Sequence, residues 1–187
     1  MVSLKSKYNY EYEISDVELE KYAGMEDDRV IAKIKESLFP CDGVDAELRS
    51  LSQEQQYHLA VVSSSALRRV LTSLNKVGHD KYFKEHEVFS AADSLTTPTS
   101  KPDPAVYLHA MQTLGKIAAE CVAIEDSRSG ATAARAARIR TIGYTGCYEG
   151  EEQKRMHRVL EDAGCMVIMK DWREFRACLA KIESSEV

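Results

Sequence analysis

The chain has 187 residues, 44% hydrophobic and 29% charged, which is the composition of a globular α/β-sized domain with one core. Its net charge of −5 argues against a nucleic-acid or anionic-membrane partner, and no apolar run approaches the ~20 residues of a membrane-spanning helix. The five cysteines are odd in number and lack CxxC spacing, and MVSLKSKYNYEYE has no apolar core of a signal peptide, so reduced thiols in a cytoplasmic protein are expected.

From the start, Tyr8 to Ile14 (YNYEYEI) alternates with the period of a strand. Ser15-Asp16-Val17-Glu18 reads as a capping box, and Val30, Ile31, Ile34 and Leu38 recur at helical spacing, which marks Asp28 to Leu38 as an amphipathic helix ended by Pro40. A helix carrying Leu48 and Leu51 precedes the apolar strand His58 to Val62. Ser63-Ser64-Ser65 then opens a helix with Leu67, Val70, Leu71 and Leu74. Glu87 to Ser90 reads as a short strand, Leu95 to Ser100 as loop, and Pro104 to Gly115 as a helix with Val106, Ala110 and Leu114 inward; Asp103 is its expected N-cap. The strand that follows Cys121 ends in Glu125 and Asp126, ahead of a small-residue helix opened by the Ser129-Gly130 turn. Strands at Thr141 to Tyr144 and Met166 to Met169 alternate with helices at Glu151 to Ala163 and Asp171 to Ile182, where Trp172 and Phe175 pack on the core. Such alternation predicts a doubly wound parallel sheet of the α/β class.

Two adjacent carboxylates at a strand tip sit where open α/β sheets bind ligands. With no His or Cys beside them, they suit a hard cation such as Mg2+ better than Zn2+; the alternative is that Glu125 and Asp126 only cap the next helix. A hydroxyl and backbone N–H groups at the Ser63-Ser64-Ser65 turn can hold a phosphoryl oxygen, or one serine is simply a helix cap. Lys101, stiffened by Pro102 and Pro104, supplies a cation between the two units. The five histidines form no metal-ligand pattern, and Arg68-Arg69 and Lys154-Arg155 read as solvated helix faces.

The order VVSSS, KPDPAVY, IEDSRSGATAA, followed by the strand IGYTG, resembles the haloacid dehalogenase superfamily, specifically its sugar-phosphatase and β-phosphoglucomutase-like branch, from about Val44 to Ile182. The resemblance implies a Rossmann-like core at 41–187 behind a truncated helical cap at 1–40. It implies that Ser63, with Ser64 beside it, binds the transferring phosphoryl group of a small phosphorylated metabolite, that Lys101 neutralises its charge and orients the nucleophile, and that Glu125 and Asp126 ligate Mg2+. The superfamily's dehalogenases need no Mg2+, so the acid pair favours phosphoryl chemistry. The family's nucleophile motif, DxDx[TV] at the end of a first strand, occurs nowhere in these 187 residues. FPCDGV keeps Asp42-Gly43-Val44 but places Pro40 where the nucleophile would stand, and the segment reads better as the linker from cap to core.

The resemblance therefore predicts a hydrolase fold lacking its central strand and part of its cap, with little or no turnover. The competing expectation is a non-catalytic phosphate-binding module that regulates a partner chain or paralogue, or a fragment of a longer phosphatase. By family topology the absent strand belongs between the strands ending at Val62 and Glu125. Tyr8 to Ile14 is a poor substitute, because Asn9, Glu11 and Glu13 suit a half-exposed edge and not a doubly buried position. The expectation is that the flanking strands close up or the centre stays defective, leaving a marginally stable chain.

Overall fold

The computed structural model describes residues 16–54 and 56–185, with side chains from 27 onward. The chain opens with α1 (Asp16–Ser37) and α2 (Val44–Glu54), and then alternates: β1 (Val61–Ser63), α3 (Leu67–Lys76), β2 (Val88–Ser90), α4 (Ala105–Leu114), β3 (Val122–Glu125), α5 (Arg128–Ala136), β4 (Arg140–Tyr144), α6 (Gly150–Asp162), β5 (Val167–Met169) and α7 (Phe175–Ser184). The expected helix from Asp28 is thus the second half of one 22-residue helix. Its proposed cap, Ser15, lies outside the described residues, as does Tyr8 to Ile14. Trp172 to Glu174 form a 3-10 turn ahead of α7, opened by Asp171, whose side chain accepts from the Arg173 amide.

All strand pairs are parallel. Val61, Val62 and Ser63 stand opposite Val88, Phe89 and Ser90, whereas β3, β4 and β5 form a separate ladder with Ile124 opposite Ile142. Period-two alternation sends neighbouring side chains into different cores. Val61, Ile124 and Ile142 join Leu48, Leu51, Leu74, Trp172 and Phe175 on the face covered by α2, α3 and α7. Val62, Phe89 and Ala123 join Val106, Tyr107, Ala110 and the alanines of α5 on the other. Apolar residues on both faces explain why the strands read as continuous hydrophobic runs. Leu71 departs from the expected inward pattern and is exposed.

β1 and β3 do not pair. Of the two outcomes expected for the centre, closure of the flanking strands is not met and an open centre is: among the described residues no strand lies between them. The two half-sheets share both cores, Val61 with Ile124 on one face and Val62 with Ala123 on the other.

Polar pairs with one buried and one exposed partner pin the lower end of the fold. His79, 1% exposed, sits 2.7 Å from Asp45, and His58 lies 2.7 Å from Glu87. Burial opposes ionisation of Glu87, but the Lys84 amide and His58 outweigh it and hold its carboxyl below the usual range. A lowered folded-state value stabilises the fold above the ordinary carboxylate pKa of about 4.3, and this contribution is lost as pH falls through that region. Melting curves at pH 7 and pH 4 should therefore differ less for Glu87→Gln than for the parent chain.

Candidate active site

The C-terminal ends of β1 and β3 carry the residues that the sequence singles out. Ser63 ends β1, and its Oγ accepts from the Ser65 amide at 3.1 Å. Neither this serine nor its neighbours cap α3. The carboxylate of Asp93 does so from the loop after β2, accepting from the Leu67 amide at 2.6 Å and from the Ser90 hydroxyl at 2.9 Å. Ser64 Oγ accepts from the Lys101 amide at 3.0 Å, which ties the proline-stiffened loop to the end of β1. Asp103, the expected N-cap of α4, stands one residue before the observed cap Pro104, and its Oδ1 accepts from the Ala105 amide at 2.8 Å.

Lys101 bridges the break in the sheet. In a parallel ladder, alternate residues turn their backbone groups to opposite sides. Ser63 O accepts from Ala91 on the β2 side, so Val62 faces the break, where its carbonyl accepts from Lys101 Nζ at 3.0 Å. The same ammonium lies 2.5 Å from Glu125 Oε1, with side-chain exposures of 5% and 0%, and sits over the Tyr107 ring 4.9 Å from its centroid. Tyr107 donates its hydroxyl to the same Glu125 oxygen. Burial, and then the Glu125 charge, push the phenol well above its ordinary value, so it stays a donor.

Glu125 Oε2 is buried and has no partner among the described residues. It lies against Gly130 in the first turn of α5, where any Cβ would overlap the carboxylate. The cap of α5 is Ser127, whose Oγ accepts from the Gly130 amide at 3.1 Å, so the reading of the two acids as helix caps is replaced: Ser127 takes that role. Asp126 is 5% exposed; its backbone carbonyl accepts from Tyr148 OH at 3.0 Å and its Oδ2 lies 3.8 Å from Cys147 Sγ. Desolvation, and then Asp126, push the nearby Cys41 thiol up, against the lowering effect of a hydrogen bond with Tyr144, which disfavours the thiolate. A cleft of about 600 Å³ opens beside the start of α5, lined by Pro102, Arg128, Ser129 and Arg155 among others.

Among the described residues no three His, Cys, Asp or Glu side chains converge as a metal-ligating group. The orphaned Glu125 oxygen next to Asp126 still fits a hard cation that takes one or two carboxylates and completes its shell with water and phosphate oxygens. The structure thus brings Ser63, Ser64, Lys101, Glu125 and Asp126 to one edge. Sequence reasoning missed Tyr107, Asp93 and the role of Gly130. The tyrosine stood inside the quoted KPDPAVY motif, three residues before Ala110 on the face expected to point inward.

Residues 6–144 match the family model of the haloacid dehalogenase-like hydrolases. The chain belongs to that family. The hexitol phosphatase B of Escherichia coli K12 is 35% identical over 117 residues, 61% of this chain and 49% of that protein. The phosphorylated carbohydrates phosphatase of Thermotoga maritima is 29% identical over 118 residues, 63% of this chain and 50% of that protein. The chain thus spans about half the length of these relatives. A solved haloacid dehalogenase-like protein of unknown function from Agrobacterium tumefaciens aligns with a TM-score of 0.74 at 27% identity, over 92% of this chain and 72% of that one. The parallel sheet with helices on both faces is the fold of this family of hydrolases.

Proposed function

We propose that this family member binds phosphate and Mg2+ at the joined ends of β1 and β3, and that it derives from phosphatases of small phosphorylated metabolites, sugar phosphates foremost. The observation that carries this reading is the buried Lys101, which holds both strand ends and leaves the serine hydroxyls and the acid pair on one edge. The names of the relatives, a hexitol phosphatase and a phosphatase of phosphorylated carbohydrates, support the substrate class.

In this reading Ser63 and Ser64 donate their hydroxyl protons to phosphoryl oxygens, since each hydroxyl oxygen already accepts a bond from the backbone. Lys101, a three-proton donor with two acceptors in place, balances the phosphate charge. Glu125 and Asp126 would hold Mg2+, which when bound neutralises phosphate charge and polarises the phosphoryl oxygen. Residues 1–40 would be a partial cap and residues 41–187 the core, in a cytoplasmic protein.

Without DxDx[TV] in these 187 residues there is no aspartate placed to form a phosphoenzyme. The chain should therefore show little or no hydrolysis of a generic phosphomonoester, and turnover abolished by Lys101→Ala would overturn this. The same absence favours the second reading, a phosphate-binding module that acts on a partner or paralogue.

Calorimetric titration with Mg2+ in the presence of inorganic phosphate tests the site itself. Weak saturable heat should appear with the parent chain and vanish in Asp126→Ala; identical titrations would remove Asp126 from it.

A further inference from the structure

The break between β1 and β3 holds a cavity of about 210 Å³. Leu48, Leu51 and Phe175 wall it from one face and Met111 and Leu114 from the other. Its polar lining, which includes Lys116, Glu120 and Arg140, stands at the N-terminal ends of β3 and β4, the edge opposite Ser63 and Asp126. Two N–H donors in this lining are buried and have no acceptor among the described residues: Nε1 of Trp172, which is 3% exposed, and Nε of Arg140. The other two guanidinium nitrogens donate to the carbonyls of Ile182 at 2.8 Å and Ala119 at 2.7 Å, so the group is held in place by partners that carry no charge. The acids that share the lining are engaged elsewhere: Glu47 with Arg176 at 2.8 Å, Glu183 with the Tyr57 hydroxyl at 3.0 Å, and Glu120 with the Ile117 amide at 3.1 Å.

Two orphaned donors in one cavity call for acceptors, because a buried N–H without a partner keeps its full desolvation cost. Water serves poorly between walls of leucine, methionine and phenylalanine, since such cavities stay dry and take apolar guests. We infer that the cavity binds a medium-chain monocarboxylate with an oxygen at its far end, the carboxylate on Arg140 and the far oxygen on Trp172. Charge, length and volume select this class. An anion completes a guanidinium whose present partners are both neutral, through a charge-assisted bond to Nε. The indole donor has no charge, so the far group is a hydroxyl or carbonyl; a second carboxylate would be buried there unpaired. Arg140 opens β4, whereas Trp172 packs on Tyr144 at its end, with ring centroids 5.6 Å apart. Four residues of strand separate the two donors along the sheet, roughly 13 Å, which a medium alkyl chain spans and a single ring does not. An apolar cavity of about 150 Å³ takes benzene, so the present volume admits one such chain and excludes a long-chain or two-chain lipid. The inference does not rest on phosphoryl chemistry, since the cavity shares no lining residue with Ser63, Ser64, Lys101, Glu125 or Asp126.

The chain has a single tryptophan, so one indole N–H resonance reports on the cavity. ω-Hydroxyoctanoate titrated into the full, isotope-labelled chain should bind saturably by calorimetry and move that resonance downfield as the indole gains an acceptor. Octanoate should bind several-fold more weakly and leave the resonance near its free position. Octylamine, the same chain with the opposite charge, should show no saturable heat. Trp172→Phe keeps an aromatic ring and loses the N–H, and should erase the difference between the two acids. Arg140→Gln should weaken both by about tenfold or more; should it fail to fold, Trp172→Phe and the amine still decide the matter. The absence of saturable heat with either acid would overturn the inference. Octylamine binding as tightly as octanoate would reduce the site to unselective apolar uptake and equally overturn it. So would an indole resonance that lies downfield from the start and does not move with ω-hydroxyoctanoate, since the donor would then be satisfied within the chain.

Discussion

Lys101→Met should lower the stability of the chain by about 3–5 kcal/mol, the range for removing one partner of a buried ion pair. In a domain of this size that corresponds to a fall in Tm of roughly 6–20 °C. The size follows from what stays behind. Glu125 has no exposed side-chain surface, and among the described residues one of its oxygens already has no partner and the other keeps only the Tyr107 hydroxyl once the ammonium is gone. The Val62 carbonyl loses its donor in the same step, so the two half-sheets lose the link that joins them at the upper edge. The pair adds little net stability over an uncharged alternative, so Lys101→Met combined with Glu125→Gln should regain most of the loss. Urea denaturation of the parent, both single variants and the double variant measures this. A double variant as unstable as Lys101→Met alone would show that Glu125 is not the group left in need.

Gly130→Ala should destabilise by about 1–3 kcal/mol, the usual cost of forcing volume into a filled space. Helix propensity alone predicts the opposite sign, since alanine is favoured over glycine inside a helix by about 0.8–1.0 kcal/mol. The steric term wins because the new Cβ would overlap the Glu125 carboxylate, which Lys101 and Tyr107 hold in place. Something must shift, and the carboxylate cannot move without breaking one of those bonds. The control lies in the partner: in a Glu125→Ala background the overlap is gone, and Gly130→Ala should become neutral or mildly stabilising. A loss of the same size in both backgrounds would place the strain elsewhere in α5.

Sequence alone determined the order of strands and helices, the family motifs, and the placement of Ser63, Glu125 and Asp126 at strand ends with Lys101 in the proline loop between them, because period, turn chemistry and proline punctuation act over a few residues. Helix starts were legible only to the nearest candidate. Ser63 to Ser65 looked like a cap for α3, but Asp93 holds that position, 26 residues away from Leu67 along the chain. Tyr107 and Gly130 acquire their roles only once α4 and α5 pack on the same face of the sheet and meet Glu125. The open centre was likewise a tertiary decision. An absent motif does not say whether its neighbours will close up. β1 and β3 stay apart because each is paired on its outer side and gripped by helices on both faces, so closing the break would cost the packing of Leu48, Trp172 and Phe175 on one side and of Met111 on the other.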